Sequence, residues 1–252
     1  MRRDRMDRRL RLLTITFLPL LGLALLMAIM AHQPQLVRAG AANVWWVDGA
    51  DGDNGYSCLA PDAPCETISG AISKAAGGDL IHVAAGVYSE NVTIDKNLTL
   101  VGGFDANWLR EPGERATIHP LAGGRVVQVS QNVTTTLVGF SLTGGRTTLG
   151  SGAGLYASDA HVTMEDCAVV DNHNQGIRWG GGIYFQNVKA SLTQVDLSDN
   201  TISGTAGLAL GGGIAIRAGS EVVIADSRVI SNSAGGGGVG SMSATILAAV
   251  PR

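Results

Sequence analysis

Apolar residues recur at fixed distances from three asparagines in the C-terminal half of the chain. These asparagines, Asn172, Asn200 and Asn232, are 28 and 32 residues apart. Four mostly apolar columns lie ten, eight, five and three positions before them: Val162, Ala190 and Val222; Met164, Leu192 and Ile224; Cys167, Val195 and Ser227; Val169, Leu197 and Val229. A spacing of two is the spacing of a strand, and the intervening step of three marks a corner.

Each repeat also contains a strand that starts after a glycine run. Its inward-facing residues are Leu155 and Ala157, Ile183 and Phe185, and Ile214 and Ile216. A repeat of about 30 residues cannot bury its apolar face alone, so neighbouring repeats must stack. The pattern therefore predicts an all-β fold, a single-stranded right-handed parallel β-helix. Each strand should pair with its copy one repeat away, at about 4.8 Å.

The bends of this coil are predicted from asparagine and glycine. Asn172, Asn200 and Asn232 follow the last apolar residue of a strand, and asparagine tolerates the left-handed conformation. Stacked copies should bond to one another as a structural ladder along the helix axis. The runs Gly180–Gly182 and Gly211–Gly213 provide the other bend.

Upstream of these repeats the coils are less regular. Leu137, Phe140 and Leu142 fit the columns if Gly145 takes the place of the asparagine. Helical spacing within residues 66–76, at Ile68, Ala71, Ile72 and Ala75, predicts a short N-terminal capping helix. Such a helix would cover the open first coil, whose core and strand edges are otherwise exposed.

The first 41 residues have the composition of an export signal. Residues 1–11 carry six arginines and two aspartates, Leu12–Ala31 is apolar, and Ala39-Gly40-Ala41 offers small residues for cleavage. We expect a signal peptide over 1–41 that is cleaved after Ala41. The alternative is an uncleaved N-terminal membrane anchor, since the apolar run has 20 residues. Either reading places the β-helix domain, residues 42–252, outside the cytoplasm, secreted or at the cell surface.

Removing this leader changes the charge of the protein. Of the 18 Lys and Arg residues seven lie in 1–41, and of the 21 Asp and Glu residues two do. The remainder has 11 basic and 19 acidic residues, a net charge of −8. Nucleic acid binding requires a basic face, so nucleic acid is not an expected partner, and membrane contact is expected only through the N-terminal segment.

Two of the three cysteines lie close together in a loop-like segment. In an exported protein Cys58 and Cys65 are expected to form a disulfide. The alternative is a metal pair, but no His or Cys partner lies nearby at ligand spacing. Cys167 occupies an inward column and is expected to be a buried core residue. We expect no metal site and no cofactor.

The repeats resemble those of chlamydial polymorphic membrane proteins, which pair a Gly-Gly-Ala-Ile-like stretch with Phe-x-x-Asn. The matching segments are Gly181-Gly182-Ile183, Gly212-Gly213-Ile214, Val169-x-x-Asn172, Leu197-x-x-Asn200 and Val229-x-x-Asn232. The opening, residues 48–104, is similar to the start of many bacterial right-handed β-helix proteins of the pectate-lyase-like superfamily. This resemblance covers roughly residues 43–240 and implies the fold more than an activity, since that superfamily includes lyases, hydrolases and adhesins.

Candidate catalytic residues are few. Asp171 and Asp199 each precede a ladder asparagine, and stacked copies would stand about 5 Å apart. That separation suits the carboxylate pair of a retaining glycosidase or shared Ca²⁺ ligands, although aspartate is also common at turns. Arg178 is the one analogue of the arginine base that the lyase resemblance implies, against a default role as a loop arginine.

Candidate ligand contacts come from two tyrosines. Tyr156 and Tyr184 follow the inward residues Leu155 and Ile183, so they should point outward and stack on adjacent coils. Exposed rings can pack against sugars; the alternative is a cross-strand pair that stabilises the sheet by roughly 0.2–1 kcal/mol.

These observations favour a noncatalytic, exported bacterial β-helix protein that presents a long face to glycans or other cell-surface components. The alternative is a polysaccharide-acting lyase or glycoside hydrolase, for which Ca²⁺ is the conceivable cofactor. After Asn232 the run Gly236-Gly237-Gly238-Val239 should open a further coil, so the last coil is expected to be incomplete.

Overall fold

A computed structural model describes residues 42–111, 113–148, 150–176, 179–204 and 210–235, together with the backbone of 245–249. The predicted leader (1–41), the loop arginine Arg178 and most of the predicted last coil lie outside this part of the chain. Within it, no helix combines the length and apolar character needed to cross a membrane.

The described chain is an all-β parallel solenoid whose strands stack in four sheets. Eight strands form the largest sheet: β1 (Val44–Val47), β2 (Leu80–Ala84), β5 (Leu98–Phe104), β8 (Thr134–Val138), β12 (His161–Glu165), β16 (Lys189–Thr193), β20 (Glu221–Ala225) and β23 (Thr245–Ala249). Six strands form the second: β3 (Gly86–Ser89), β6 (Ala116–His119), β9 (Phe140–Thr143), β13 (Ala168–Val170), β17 (Asp196–Ser198) and β21 (Arg228–Ile230).

The other two sheets complete each coil. Five strands form one of them: β4 (Val92–Ile94), β7 (Val127–Val129), β11 (Leu155–Ser158), β15 (Ile183–Gln186) and β19 (Ile214–Ile216). Four short strands form the other: β10 (Arg146–Thr147), β14 (His173–Asn174), β18 (Thr201–Ile202) and β22 (Ser233–Ala234). The parallel β-helix predicted from the apolar columns is therefore confirmed.

The register of the strands is the one that the columns predict. Met164 pairs with Leu192, and Leu192 pairs with Ile224. Upstream, Leu137 pairs with Met164 and Leu142 with Val169, as the irregular coil predicted. The inward side chains form one continuous buried core along the solenoid.

Left-handed residues occupy the corners in four columns that repeat from coil to coil. The columns are Asn132, Asp159, Asn187 and Gly219; Gly139, Asp166, Gln194 and Asp226; Gly144, Asp171, Asp199 and Ser231; and Gly124, Gly152, Gly180 and Gly211. Asp, Asn and Gly adopt positive φ at the lowest cost. The residue before each ladder asparagine adopts this conformation, so the prediction that the asparagine itself does so is wrong.

The asparagine ladder is present and buried. The Nδ2 of Asn172 donates to the Oδ1 of Asn200 at 2.9 Å, and the Nδ2 of Asn200 donates to the Oδ1 of Asn232 at 3.0 Å. The backbone N–H of Gly145 donates to the Oδ1 of Asn172. The ladder thus satisfies backbone and side-chain groups at a corner where no strand pairing is available.

Glycine in the runs is required by the close approach of stacked coils. A Cβ on Gly182 would lie 2.6 Å from the carbonyl oxygen of Gly213 and 2.9 Å from the Cγ of Asn200. The ladder asparagines and the glycines therefore fit together as one unit.

A short helix lies at the N-terminal end, as predicted. Helix α1 (Ile68–Lys74) buries Ile68, Ala71 and Ile72 in the solenoid core and contacts strands β1, β2 and β4. The carboxylate of Glu90 accepts the first backbone N–H groups, and the Nζ of Lys96 donates to carbonyls in the last turn. These charges complement the helix dipole at both ends.

The predicted disulfide is confirmed. Cys58 and Cys65 are bonded and buried, and the loop that they close runs along the outer edge of β1, where Trp46 N–H donates to the Cys58 carbonyl. Cys167 is a free thiol in the core, as expected from its column.

Candidate functional site

A stack of aromatic rings closed by arginines lies on the outer side of the five-stranded sheet. Tyr156 and Tyr184 stack with ring centroids 5.3 Å apart and planes 14° apart. Trp179 stacks on the other side of Tyr184, at 6.1 Å and 15°. The guanidinium of Arg125 lies 4.4 Å from the centroid of Tyr156, and that of Arg217 lies 3.9 Å from that of Trp179.

The strand register explains this arrangement. Gln128, Tyr156, Tyr184 and Ala215 face outward at equivalent positions of β7, β11, β15 and β19. Ala215, the register partner of Tyr184 in the next coil, has only a methyl side chain, and the indole of Trp179 stacks on Tyr184. Cation–π contacts at the two ends contribute roughly 0.5–2 kcal/mol each, depending on their desolvation.

Arg125 is the most constrained group of the stack. Its Nε donates to the carbonyl of Gly152, its Nη2 to that of Ser151, and its Nη1 to the Oε1 of Gln128 at 2.6 Å. Burial lowers the pKa of Arg125 from its ordinary value, partly opposed by Tyr156, but a guanidinium remains charged at any physiological pH. The stack therefore fixes a positive charge in one orientation.

A pocket of about 430 Å³ opens beside these rings. It is lined by Arg125, Gln128, Gly150, Ser151, Tyr156, Trp179, Tyr184 and Gln186. The hydroxyl of Tyr184 donates to the Oε1 of Gln186 at 2.6 Å. The lining offers amide, hydroxyl and guanidinium groups, and contains no carboxylate or imidazole for proton transfer.

The predicted tyrosine pair is therefore stacked, but it is less exposed than expected. Tyr184 is only 3% exposed because Tyr156 and Trp179 cover its two faces. Tyr156 is half-buried between Arg125 and Tyr184. A sugar can reach the ring edges and the polar rim of the pocket, whereas stacking on the ring faces would require Arg125 or Trp179 to move.

A second and larger cleft, of about 680 Å³, lies at the corner between the eight- and six-stranded sheets. Asp166 accepts from Arg110 at 2.5 Å and from Arg115 at 2.9 Å, and Arg228 pairs with Asp196. Burial disfavours the charged form of Asp166, but the bonds from Arg110 and Arg115 outweigh it and lower the pKa of Asp166. The arginines of this cleft are thus neutralised by its own carboxylates.

The candidate catalytic aspartates lie elsewhere. Asp171 and Asp199 are exposed corner residues with φ of 51° and 56°, and Ser231 adopts the same conformation in the next coil. Neither aspartate lines either of the two pockets. Their position is explained by the turn, and their catalytic role is a prediction that the geometry leaves untested.

The buried thiol of Cys167 is not suited to act as a nucleophile. Burial raises the pKa of the Cys167 thiol to about 11, which suppresses its nucleophilic thiolate form. In the described parts of the chain, no three His, Cys, Asp or Glu side chains are grouped as metal ligands.

Sequence reasoning missed two features of the outer surface. One is the pairing of Arg125 and Arg217 with the aromatic rings, since these arginines are far from them in sequence. The other is a cluster of Trp46, His82, Phe104 and Trp108, with centroid distances from 4.4 to 6.1 Å. Alternation within Trp45-Trp46 of β1 would have indicated that one tryptophan faces outward.

No protein-family model matches the chain, and neither the curated proteins nor the solved structures contain a significant match. The resemblance to chlamydial and pectate-lyase-like repeats therefore rests on the motifs themselves. The parallel solenoid that it implied is present.

Proposed function

We propose that the protein is a noncatalytic, exported bacterial solenoid, secreted or held at the cell surface, that binds glycans on the outer side of its five-stranded sheet. The observation that carries this proposal is the pocket beside the arginine-capped stack. It presents oriented hydrogen-bonding groups to a ligand without a carboxylate or imidazole that could transfer a proton.

The size and lining of this pocket suit one or two sugar units. Ligand pockets usually have volumes of about 300–1,000 Å³ and a few fixed polar groups that orient the ligand. Gln128, Gln186 and Arg125 are such groups: Arg125 donates to Gln128, Tyr184 donates to Gln186, and the carbonyl of Gly152 holds Arg125. Binding of a glycan to this pocket should be weak because little apolar area is buried.

The test combines a glycan array with a polysaccharide degradation screen on the full chain. We expect binding without turnover. Tyr184→Ala should lower glycan affinity because Tyr156 and Trp179 lose the ring that stacks between them, whereas Asp199→Asn should leave affinity unchanged. Cleavage of a polysaccharide that is abolished by Asp199→Asn would overturn the proposal in favour of the enzyme alternative.

A further inference from the structure

Charge is distributed unevenly around the solenoid. The segments that form the four- and five-stranded sheets in four consecutive coils are residues 119–131, 145–158, 172–186 and 200–218. The described residues of these segments include no Asp or Glu, and they include Arg125, Arg146 and Arg217. Because residues 42–252 carry a net charge of −8, this basic side stands out against an acidic molecule.

The arginines on this side differ from those of the corner cleft. Arg110, Arg115 and Arg228 each bond to an aspartate. Arg125, Arg146 and Arg217 form no salt bridge with any described residue. An unneutralised guanidinium that is partly desolvated attracts anions more strongly than one already paired.

We propose that the basic side binds an anionic group, a carboxylate or a sulfate, carried by a saccharide, with Arg125 as the group that contacts the charge. This inference rests on the proposed glycan-binding function and names its ligand class. Gln128 and Gln186 line the same pocket as Arg125, so their amides can bond to the neighbouring sugar hydroxyls.

The ring geometry argues for a saccharide rather than a nucleic acid. Single-stranded nucleic acids bind by stacking bases on free aromatic faces. Here the faces of Tyr156, Tyr184 and Trp179 are covered by one another and by Arg125 and Arg217. The ligand must therefore be recognised by charge and hydrogen bonds at the ring edges.

The experiment measures binding of the full-length protein, in mild detergent, to four immobilised polymers. These are a carboxylated glycan (polygalacturonate), a sulfated glycan (dextran sulfate), neutral dextran and single-stranded DNA. We expect at least one anionic glycan to bind about tenfold more tightly than dextran and DNA, with an affinity that falls as salt rises. The carboxylated and sulfated arms identify the source of the anion.

Variants separate this site from general electrostatics. Arg125→Gln should weaken anionic glycan binding about tenfold, as expected for loss of a charge-assisted bond, and the exposed Arg217→Gln should weaken it about threefold by loss of charge. Arg228→Gln is the matched control, an exposed arginine of β21 that is paired with Asp196, and should change affinity less than twofold. If Arg125→Gln fails to fold, Gln128→Ala, exposed at the pocket rim, should still weaken binding.

The outcomes distinguish the two proposals. Equal binding of dextran and anionic glycans, insensitive to Arg125→Gln, would overturn the anionic ligand class and leave glycan binding standing. Preferential binding of DNA would also overturn the proposal. So would a loss of anionic-glycan affinity in Arg228→Gln as large as the loss in Arg125→Gln. Absence of binding to every polymer and to the glycan array would overturn the proposed function itself.

Discussion

Aspartates of this chain look alike in sequence and differ in their surroundings. Asp166, Asp171, Asp199 and Asp226 all adopt positive φ at corners. Asp166 alone among them is held by two arginines, which reach it from the segment between β5 and β6. Backbone conformation therefore accounts for the choice of aspartate at each corner, and the ion pairs give Asp166 a further role in holding that segment.

Asp166 should link stability to acid pH. Its pKa is lower in the folded protein than the ordinary value of 3.8. The stabilisation by the ion pairs is complete above the pKa that Asp166 has in the unfolded chain. It is lost as pH falls through the lower pKa that Asp166 has in the folded protein. Asp166→Asn, which keeps the corner conformation, should cost roughly 1 kcal/mol at pH 7 after solvent screening and flatten the stability profile below pH 4.

Urea unfolding at pH 7, 4 and 2.5 measures this effect. Asp171→Asn is the matched control, an exposed corner aspartate outside the described salt bridges, and should keep the parental stability at pH 7. A stability difference between Asp166→Asn and the parent that stays constant from pH 7 to 2.5 would contradict the ion-pair explanation.

Cysteine labelling tests the core at the residue scale. Cys167 is buried and its pKa is raised to about 11, so it should resist iodoacetamide at pH 8 until the protein is unfolded. Cys58 and Cys65 should label only after reduction and unfolding. Mass spectrometry reads the three sites separately, and rapid labelling of native Cys167 would show that its column is accessible.

At the scale of the element, the ladder converts one residue per coil into a continuous network. The Nδ2 of Asn200 donates to the carbonyls of Val169 and Ser198 as well as to Asn232. Its Oδ1 accepts from the backbone and the side chain of Asn172. Removing it leaves several buried groups without partners, and each such group costs about 1–3 kcal/mol.

Asn200→Ala should therefore destabilise the protein by about 3 kcal/mol in urea unfolding, since several unpaired buried groups add up. Asn232→Ala provides the comparison. Asn232 is partly exposed at the end of the described ladder, so its loss should cost about 1 kcal/mol, since water can replace its partners. Equal losses for the two variants would mean that the ladder is not a cooperative element.

The sequence predicted the elements better than it predicted the surface. The inward columns, the ladder, the helix at Ile68–Lys74 and the disulfide all follow from local spacing, because each coil repeats the same physical problem. The stack of Arg125, Tyr156, Tyr184, Trp179 and Arg217 depends on residues from four coils. Trp179 and Arg217 stand at repeat positions where other coils have different residues, Leu210 for Trp179 and Gln186 for Arg217, so spacing could indicate the tyrosine pair but not what covers it.

At the scale of the whole solenoid, stacking makes stability depend on pairs of neighbouring coils and arranges charged residues in rows along the axis. Each coil contacts only its neighbours, so stability is approximately a sum of coil terms and interface terms. The same repetition places equivalent corners in rows, which concentrates carboxylates on some sides and leaves the four- and five-stranded sheets basic. A ligand along this side would meet Arg125, Arg146 and Arg217 in succession.

A charge placed inside the stack should have an effect that depends on its coil. Leu192 is 1% exposed in the middle of the core, whereas Val229, in the last strand of the six-stranded sheet (β21), is 50% exposed. Leu192→Asp buries an unpaired charge and should cost several kcal/mol. It should also uncouple the coils on its C-terminal side, because they are joined to the N-terminal coils only through the coil that the substitution disrupts. Val229→Asp leaves its carboxylate in water and should cost less than about 1 kcal/mol.

Hydrogen exchange with mass spectrometry measures both variants coil by coil. We expect Leu192→Asp to lose protection in β15 to β21 while α1 to β5 remain protected, and Val229→Asp to lose it only in β21 and β22. Uniform loss of protection along the whole chain in Leu192→Asp would mean that the solenoid unfolds as a single unit instead.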